Sequence, residues 1–140
     1  ARGPAATLEA AHGALRSTRG AAVAIAEIDI ADRTIRYAGI GNISGVIAVP
    51  DKTRQMISHN GTVGMDIRKI QEFVYEMPAG ARVIMHSDGL AAQWRLGRYI
   101  GLWPKDPSLV AGVLYRDFTR GRDDVTVVVL RQSANGVVPE

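Results

Sequence analysis

Residues 82–90 read Arg82-Val83-Ile84-Met85-His86-Ser87-Asp88-Gly89-Leu90, an apolar run of strand length that stops on an acidic turn. A second stretch reverses that order: Gly121-Arg122-Asp123-Asp124 opens onto a β-branched run over residues 125–130. If the two runs are antiparallel neighbours, the end of one and the start of the other share an edge of the sheet. Asp88 and Asp123 then project from adjacent positions toward a common point. Carboxylates gathered so are hard oxygen donors, suited to Mg²⁺ or Mn²⁺. Spacing alone favours a plainer account, with Asp88 capping a following helix and Asp123-Asp124 a solvated turn, since Asp is common in both settings.

Upstream of this pair the pattern is mostly strands. Residues 21–29 and 34–38 are predicted to form a hairpin about Asp32-Arg33. Gly39-Ile40-Gly41-Asn42 interrupts and reads as a tight bend where strands cross, with Asn42 bonding the bent backbone. Residues 44–49 and 55–58 are further strands around the turn Pro50-Asp51-Lys52, and the turn formers of residues 59–64 predict irregular chain. Residues 71–76 and 82–86 are joined by Pro78-Ala79-Gly80, which reads as another hairpin. Ahead of all these, Leu8, Ala11, His12 and Leu15 share one face of a short helix over residues 8–16.

Downstream, residues 91–94 begin a helical stretch. Asp106-Pro107 then supplies an N-cap and a first-turn proline for a helix to about Phe118, with Leu109, Val110, Val113 and Leu114 as its buried stripe. Antiparallel strands with helices segregated outside them make an α+β fold, a layered sandwich.

Composition bounds the reading further. At 140 residues the chain is one domain, and its 46% hydrophobic content is that of a globular protein. A secretory leader and a membrane span are not expected, because no apolar run is long enough. Without cysteine, disulfides and thiolate metal sites are excluded, and a reducing cytoplasm is the expected location. The net charge of +3 comes without any basic run, so neither nucleic acid nor a membrane is an expected partner.

The words His86-Ser87-Asp88-Gly89-Leu90 and Gly121-Arg122-Asp123-Asp124-Val125-Thr126 resemble the two C-terminal signatures of the PPM, or type 2C, phosphatase superfamily. Thr18-Arg19-Gly20-Ala21, Tyr37-Ala38-Gly39-Ile40-Gly41-Asn42 and Asn60-Gly61-Thr62-Val63-Gly64 agree in order with its bacterial SpoIIE branch, most of all the small RsbX type. The resemblance implies an α-β-β-α sandwich of mostly antiparallel sheet. It also implies a metal-dependent serine/threonine phosphatase, in which two Mn²⁺ or Mg²⁺ ions held by aspartates activate the water that attacks phosphorus. Matched by motif, Asp88 and Asp123 are the metal ligands and catalytic residues, with Gly89, Asp124, Arg122 and Asn42 in support.

The family's first motif, an Asp-Gly pair whose Asp bridges both metals, has no counterpart before Thr18, where Gly3-Pro4 stands instead. The expectation is therefore a domain over residues 1–132 lacking its first strand and motif, followed by a polar tail over 133–140. Such a chain alone should bind Mn²⁺ weakly, since two carboxylates do not complete a two-metal cluster. The implied partner is a phosphorylated serine or threonine protein, a STAS-type regulator in bacterial partner switching. A non-catalytic binding module of the same fold is the alternative.

Other chemistry-bearing residues carry competing readings. His12 reads as packed on a helix face. His86 and Ser87 are adjacent in a strand and point to opposite faces, which excludes a Ser-His-Asp triad. His59 lies in a glycine loop that borders the site on one reading and is mere turn on the other. Gly39 and Gly41 lack the third glycine and crossover helix of a dinucleotide fingerprint. Arg19 and Arg122 suit phosphate or an ion pair. Trp94, Tyr99 and Trp103 are read as covering the core, with an exposed docking surface after the Ser87-Asp88-Gly89 turn as the alternative.

Overall fold

The computed structural model describes residues 2–133. Most of the tail expected over 133–140 lies outside the described residues. The chain opens with helix α1 (Pro4–Ala14), which starts four residues before the predicted helix because Pro4 takes its first position, where a missing N–H costs nothing. Strands β1 (Val23–Asp29) and β2 (Thr34–Ile40) then form the expected hairpin. Its turn is closed by Asp32 donating its N–H to Asp29 Oδ1 at 2.9 Å, with Arg33 in the left-handed region at φ 52°. Next come β3 (Ile43–Val49), β4 (Lys52–Met56), β5 (Gly61–Thr62), β6 (Asp66–Ile67), β7 (Phe73–Glu76) and β8 (Arg82–Ser87). Helix α2 (Pro107–Phe118) and strand β9 (Val127–Arg131) complete the order.

These strands build two main sheets, ordered β1-β2-β7 and β4-β3-β8-β9, beside a small β5-β6 ribbon. Alternation along each strand sorts its side chains into three cores. Ile35 and Tyr37 of β2 meet Ile47, Met56 and Val83 of the second sheet between the two sheets. Their strand neighbours Ala38 and Ile40 face the other way, against Leu8 of α1. On the far side of the second sheet, Val46, Ala48 and Ile84 pack with Val110 and Leu114 of α2. Helix, sheet, sheet, helix: the layered sandwich is the observed architecture. Tyr37 fills the gap between the sheets, and Gly45 is obliged to be small, because a Cβ there would lie 2.6 Å from the Tyr37 ring.

Local expectations need correction: the fourth strand runs over Lys52–Met56, and Gly61–Thr62 in the expected irregular stretch is a strand. Pro78-Ala79-Gly80 is no hairpin: β7 pairs with β2 and β8 with β3, so this turn carries the chain from one sheet to the other. The predicted helix from residue 91 does not form. Residues 91–105 are irregular apart from a single 3₁₀ turn at Leu96–Arg98, with Trp94, Leu96 and Leu102 buried against the second sheet as separate anchors. Leu109 is half exposed, leaving Val110 and Leu114 as the fully buried stripe of α2. Trp94 is buried, and Tyr99 and Trp103 pack on the same core, as read. Among the described residues no helix is long and apolar enough to cross a membrane.

Candidate metal and phosphate-binding rim

The β2 to β3 step also crosses between sheets, and it does so in two residues, Gly41 and Asn42. Gly41 takes φ 95°, a conformation that favours glycine. The bend is held by backbone: Ile43 donates to Gly41 O at 2.9 Å and Gly41 donates to His59 O at 2.8 Å. Asn42, expected to brace this bend, makes no side-chain hydrogen bond among the described residues, and its amide is free.

Antiparallel pairing of β3 with β8 sets Ile43 opposite Ser87, so β8 ends beside this bend. β8 and β9 are antiparallel neighbours with His86 opposite Val127. The turn after β8 and the loop before β9 therefore lie on one rim. Their contact is intimate. Ser87 donates its N–H to Thr126 O at 3.1 Å, and Thr126 returns a bond to Ser87 Oγ at 3.0 Å. Arg120 donates its N–H to Gly89 O at 2.9 Å. A Cβ at Gly89 would lie 2.3 Å from the Asp124 carbonyl oxygen, so only glycine lets the two segments approach this closely.

Asp88 is exposed and lines two cavities. One, of about 230 Å³, is shared with Ala22, Gly41, Asn42, Asn60, Gly61 and Thr62. The other, of about 460 Å³, has Asp88, Arg120, Asn42, Ser44, Ser58 and His86 among its lining residues. Asp123 is also exposed, and its Oδ1 accepts the Asp124 N–H at 2.8 Å, which turns that oxygen toward its own loop. Asp124 contributes its backbone carbonyl to the contact with Gly89. The Arg122 side chain lines neither of the two cavities. Sequence reasoning passed over Arg120, which lies outside every motif quoted above.

His86 is buried beneath the rim and joined to neutral partners. Trp94 Nε1–H donates to its Nε2 at 3.2 Å, so the proton sits on Nδ1, which donates to Ser87 O at 2.8 Å. Burial pushes its pKa below the ordinary histidine value, opposed by that backbone bond. Ser87 Oγ bonds to Thr126 N and Asp124 O, so no serine-histidine pair exists here. His12 Nδ1 accepts the Gly64 N–H at 2.8 Å and is structural. His59 stacks near Phe73, with ring centroids 5.9 Å apart, and lines neither cavity.

The carboxylates of this rim match a hard divalent cation in kind but not in number. Among the described residues no three His, Asp or Glu side chains converge to hold a metal. Two carboxylates with water leave a two-metal cluster short of donors.

A family model described as Stage II sporulation protein E (SpoIIE) matches residues 4–133. No curated protein matches the chain. Among solved structures it is similar to a chain described in "The bacterial stressosome: a modular system that has been adapted to control secondary messenger signaling", at TM-score 0.78 and 20% identity, covering 91% of this chain and 67% of that one. It is similar to RsbX in complex with magnesium at TM-score 0.73 and 19% identity, covering 91% and 64%. The phosphatase domain of SpoIIE from Bacillus subtilis, presoaked with Mn, gives TM-score 0.60 and 20% identity, covering 93% and 66%. The chain thus spans about two thirds of each of these chains. At such identities the likeness is one of fold.

Proposed function

This chain belongs to the SpoIIE family of phosphatase domains, and from that premise we propose that it supplies the cation-binding rim of a metal-dependent protein serine/threonine phosphatase. Asp88 and Asp123 each give one carboxylate to a Mg²⁺ or Mn²⁺ ion. Gly89 lets the two turns close, and Asp124 holds them together through its backbone. Asn42, at the crossing between the sheets, presents a neutral donor to the two cavities that Asp88 lines and Asp123 does not. The observation that carries this reading is the β8-β9 pairing, which brings two acidic turns 35 positions apart in sequence into backbone contact. The phosphoprotein is of the STAS type acting in partner switching, a choice favoured by likeness to a chain described for the bacterial stressosome and to RsbX.

Phosphate release from a phosphoserine peptide with Mn²⁺ tests the activity. In any active longer form, Asp88→Ala and Asp123→Ala should each abolish metal-dependent turnover while leaving the fold intact, because both side chains are exposed. Unchanged turnover in either variant would show the assignment to be wrong. That only two carboxylates meet at the rim among the described residues favours a second reading, a regulatory module that docks a phosphoprotein without cleaving it. Binding of the phosphopeptide with no release, in this chain and in any longer form, would select that reading.

A further inference from the structure

Arg120 lies directly after α2, and its backbone N–H bond to Gly89 O fixes its Cα beside the turn that carries Asp88. Its side chain lines the cavity of about 460 Å³ together with Asp88, Asn42, Ser44 and Ser58. Four arginines are tied down, Arg36 to Glu27 and Glu72, Arg116 to Asp117, and Arg82 and Arg131 to backbone carbonyls, whereas Arg120 is among those left unpaired and is distinguished by its place in this cavity. Arg120 makes no ion pair or side-chain hydrogen bond among the described residues, even though Asp88 shares its cavity. The Asn42 amide and the Ser44 hydroxyl are equally unengaged there, whereas the Ser58 hydroxyl is committed to Tyr37 and to Ile43 O. The lining of the cavity thus includes one arginine and two neutral donors beside the Asp88 carboxylate. A tetrahedral oxyanion is the ligand that uses all three, since a guanidinium binds two phosphate oxygens in parallel and amide and hydroxyl donors take the others.

We propose that Arg120 is the phosphate-binding residue of this rim, holding the phosphoryl group of a phosphoserine or phosphothreonine side chain in the cavity bounded by β3 and the turn after β8. This deepens the phosphatase reading and rests on it for the identity of the ester, while the oxyanion site itself stands on the cavity alone. Arg122, the arginine that the motif singles out, is not among the residues lining this cavity.

The test is a titration of the whole chain with inorganic phosphate in the presence of Mg²⁺, followed by ¹⁵N NMR. The Arg120 Nε–H signal and the amide signals of Asn42 and Ser44 should shift together. Arg120→Ala should weaken phosphate binding about 10- to 100-fold, the range of a charge-assisted bond, and Arg120→Lys should restore only part of it. The backbone bond to Gly89 survives both substitutions, so both variants should fold. Shifts at Asn42 and Ser44 that vanish in Arg120→Ala uphold the site even if no phosphoester is cleaved, a result that would strike the phosphatase reading alone. If instead a phosphoserine peptide is cleaved and Arg120→Ala leaves KM unchanged, the phosphatase reading survives and the role of Arg120 does not. Absence of phosphate binding in the unaltered chain, or binding equal in Arg120→Ala, also overturns it.

Discussion

Replacing Gly89 with alanine tests the contact that joins the two acidic turns. The added Cβ would lie 2.3 Å from Asp124 O, 2.8 Å from Val125 Cγ2 and 3.0 Å from Asp124 C. A carbon meets a carbonyl oxygen comfortably at roughly 3.3 Å, so the loop before β9 must retreat by about 1 Å. The nearest obstacle is a backbone oxygen, which cannot swing aside as the Val125 methyl could. Retreat stretches the Arg120 to Gly89, Ser87 to Thr126 and Thr126 to Ser87 hydrogen bonds, each contributing about 1 kcal/mol. Offset by the reduced freedom of alanine in the unfolded chain, the net loss is about 1–3 kcal/mol. Urea unfolding should report it as a lowered midpoint at unchanged slope. A Mn²⁺ titration of the same variant should show weaker binding, because displacing one turn by about 1 Å spoils a shared coordination site. Gly80→Ala is the control. Its Cβ meets nothing within 4 Å, and its φ of 72° strains the backbone far from the rim. It should lose stability without changing the metal titration. A Gly89→Ala chain as stable as the parent, with the same metal affinity, would refute the reasoning.

Gly112→Ala, inside α2 where a Cβ meets nothing within 4 Å, should raise stability by about 1 kcal/mol in urea unfolding. Tyr37→Phe removes the bond between the Tyr37 hydroxyl and Ser58 Oγ and should cost about 1 kcal/mol at neutral pH. Burial holds the Tyr37 phenol above its ordinary value of 10.0, with the Ser58 bond opposing. Its contribution is therefore complete below that value and lost as pH rises through the folded-state pKa. Unfolding midpoints should fall above about pH 10 in the parent and fall less in Tyr37→Phe.

Much of this architecture is legible in the sequence because local chemistry and tertiary pairing agree. The two acidic turns flanking apolar runs announce the β8-β9 edge, and Asp106-Pro107 announces α2, whose N-cap side chain accepts the Ser108 N–H at 2.8 Å. Pro78-Ala79-Gly80 misleads because a turn signal reports a reversal of direction and says nothing of which sheet receives the next strand. That choice is made by β2 and β3, whose partners lie far along the chain. Residues 91–105 hold enough apolar side chains for a helix, yet Gly97, Gly101 and Pro104 break any regular period and the anchors bury one at a time. Arg120 could not be singled out at all. It belongs to no motif, and only the bond to Gly89 and the end of α2 bring it to the cavity.

One measurement addresses the central claim most directly: paramagnetic broadening of backbone amide signals as Mn²⁺ is added to the intact chain. A cation shared by Asp88 and Asp123 should broaden residues 87–90 and 122–125 in parallel, at the same metal concentration, and both sets should recover together in Asp88→Ala. Broadening confined to one turn, or persisting at the other in that variant, would mean that the two carboxylates do not hold a common ion.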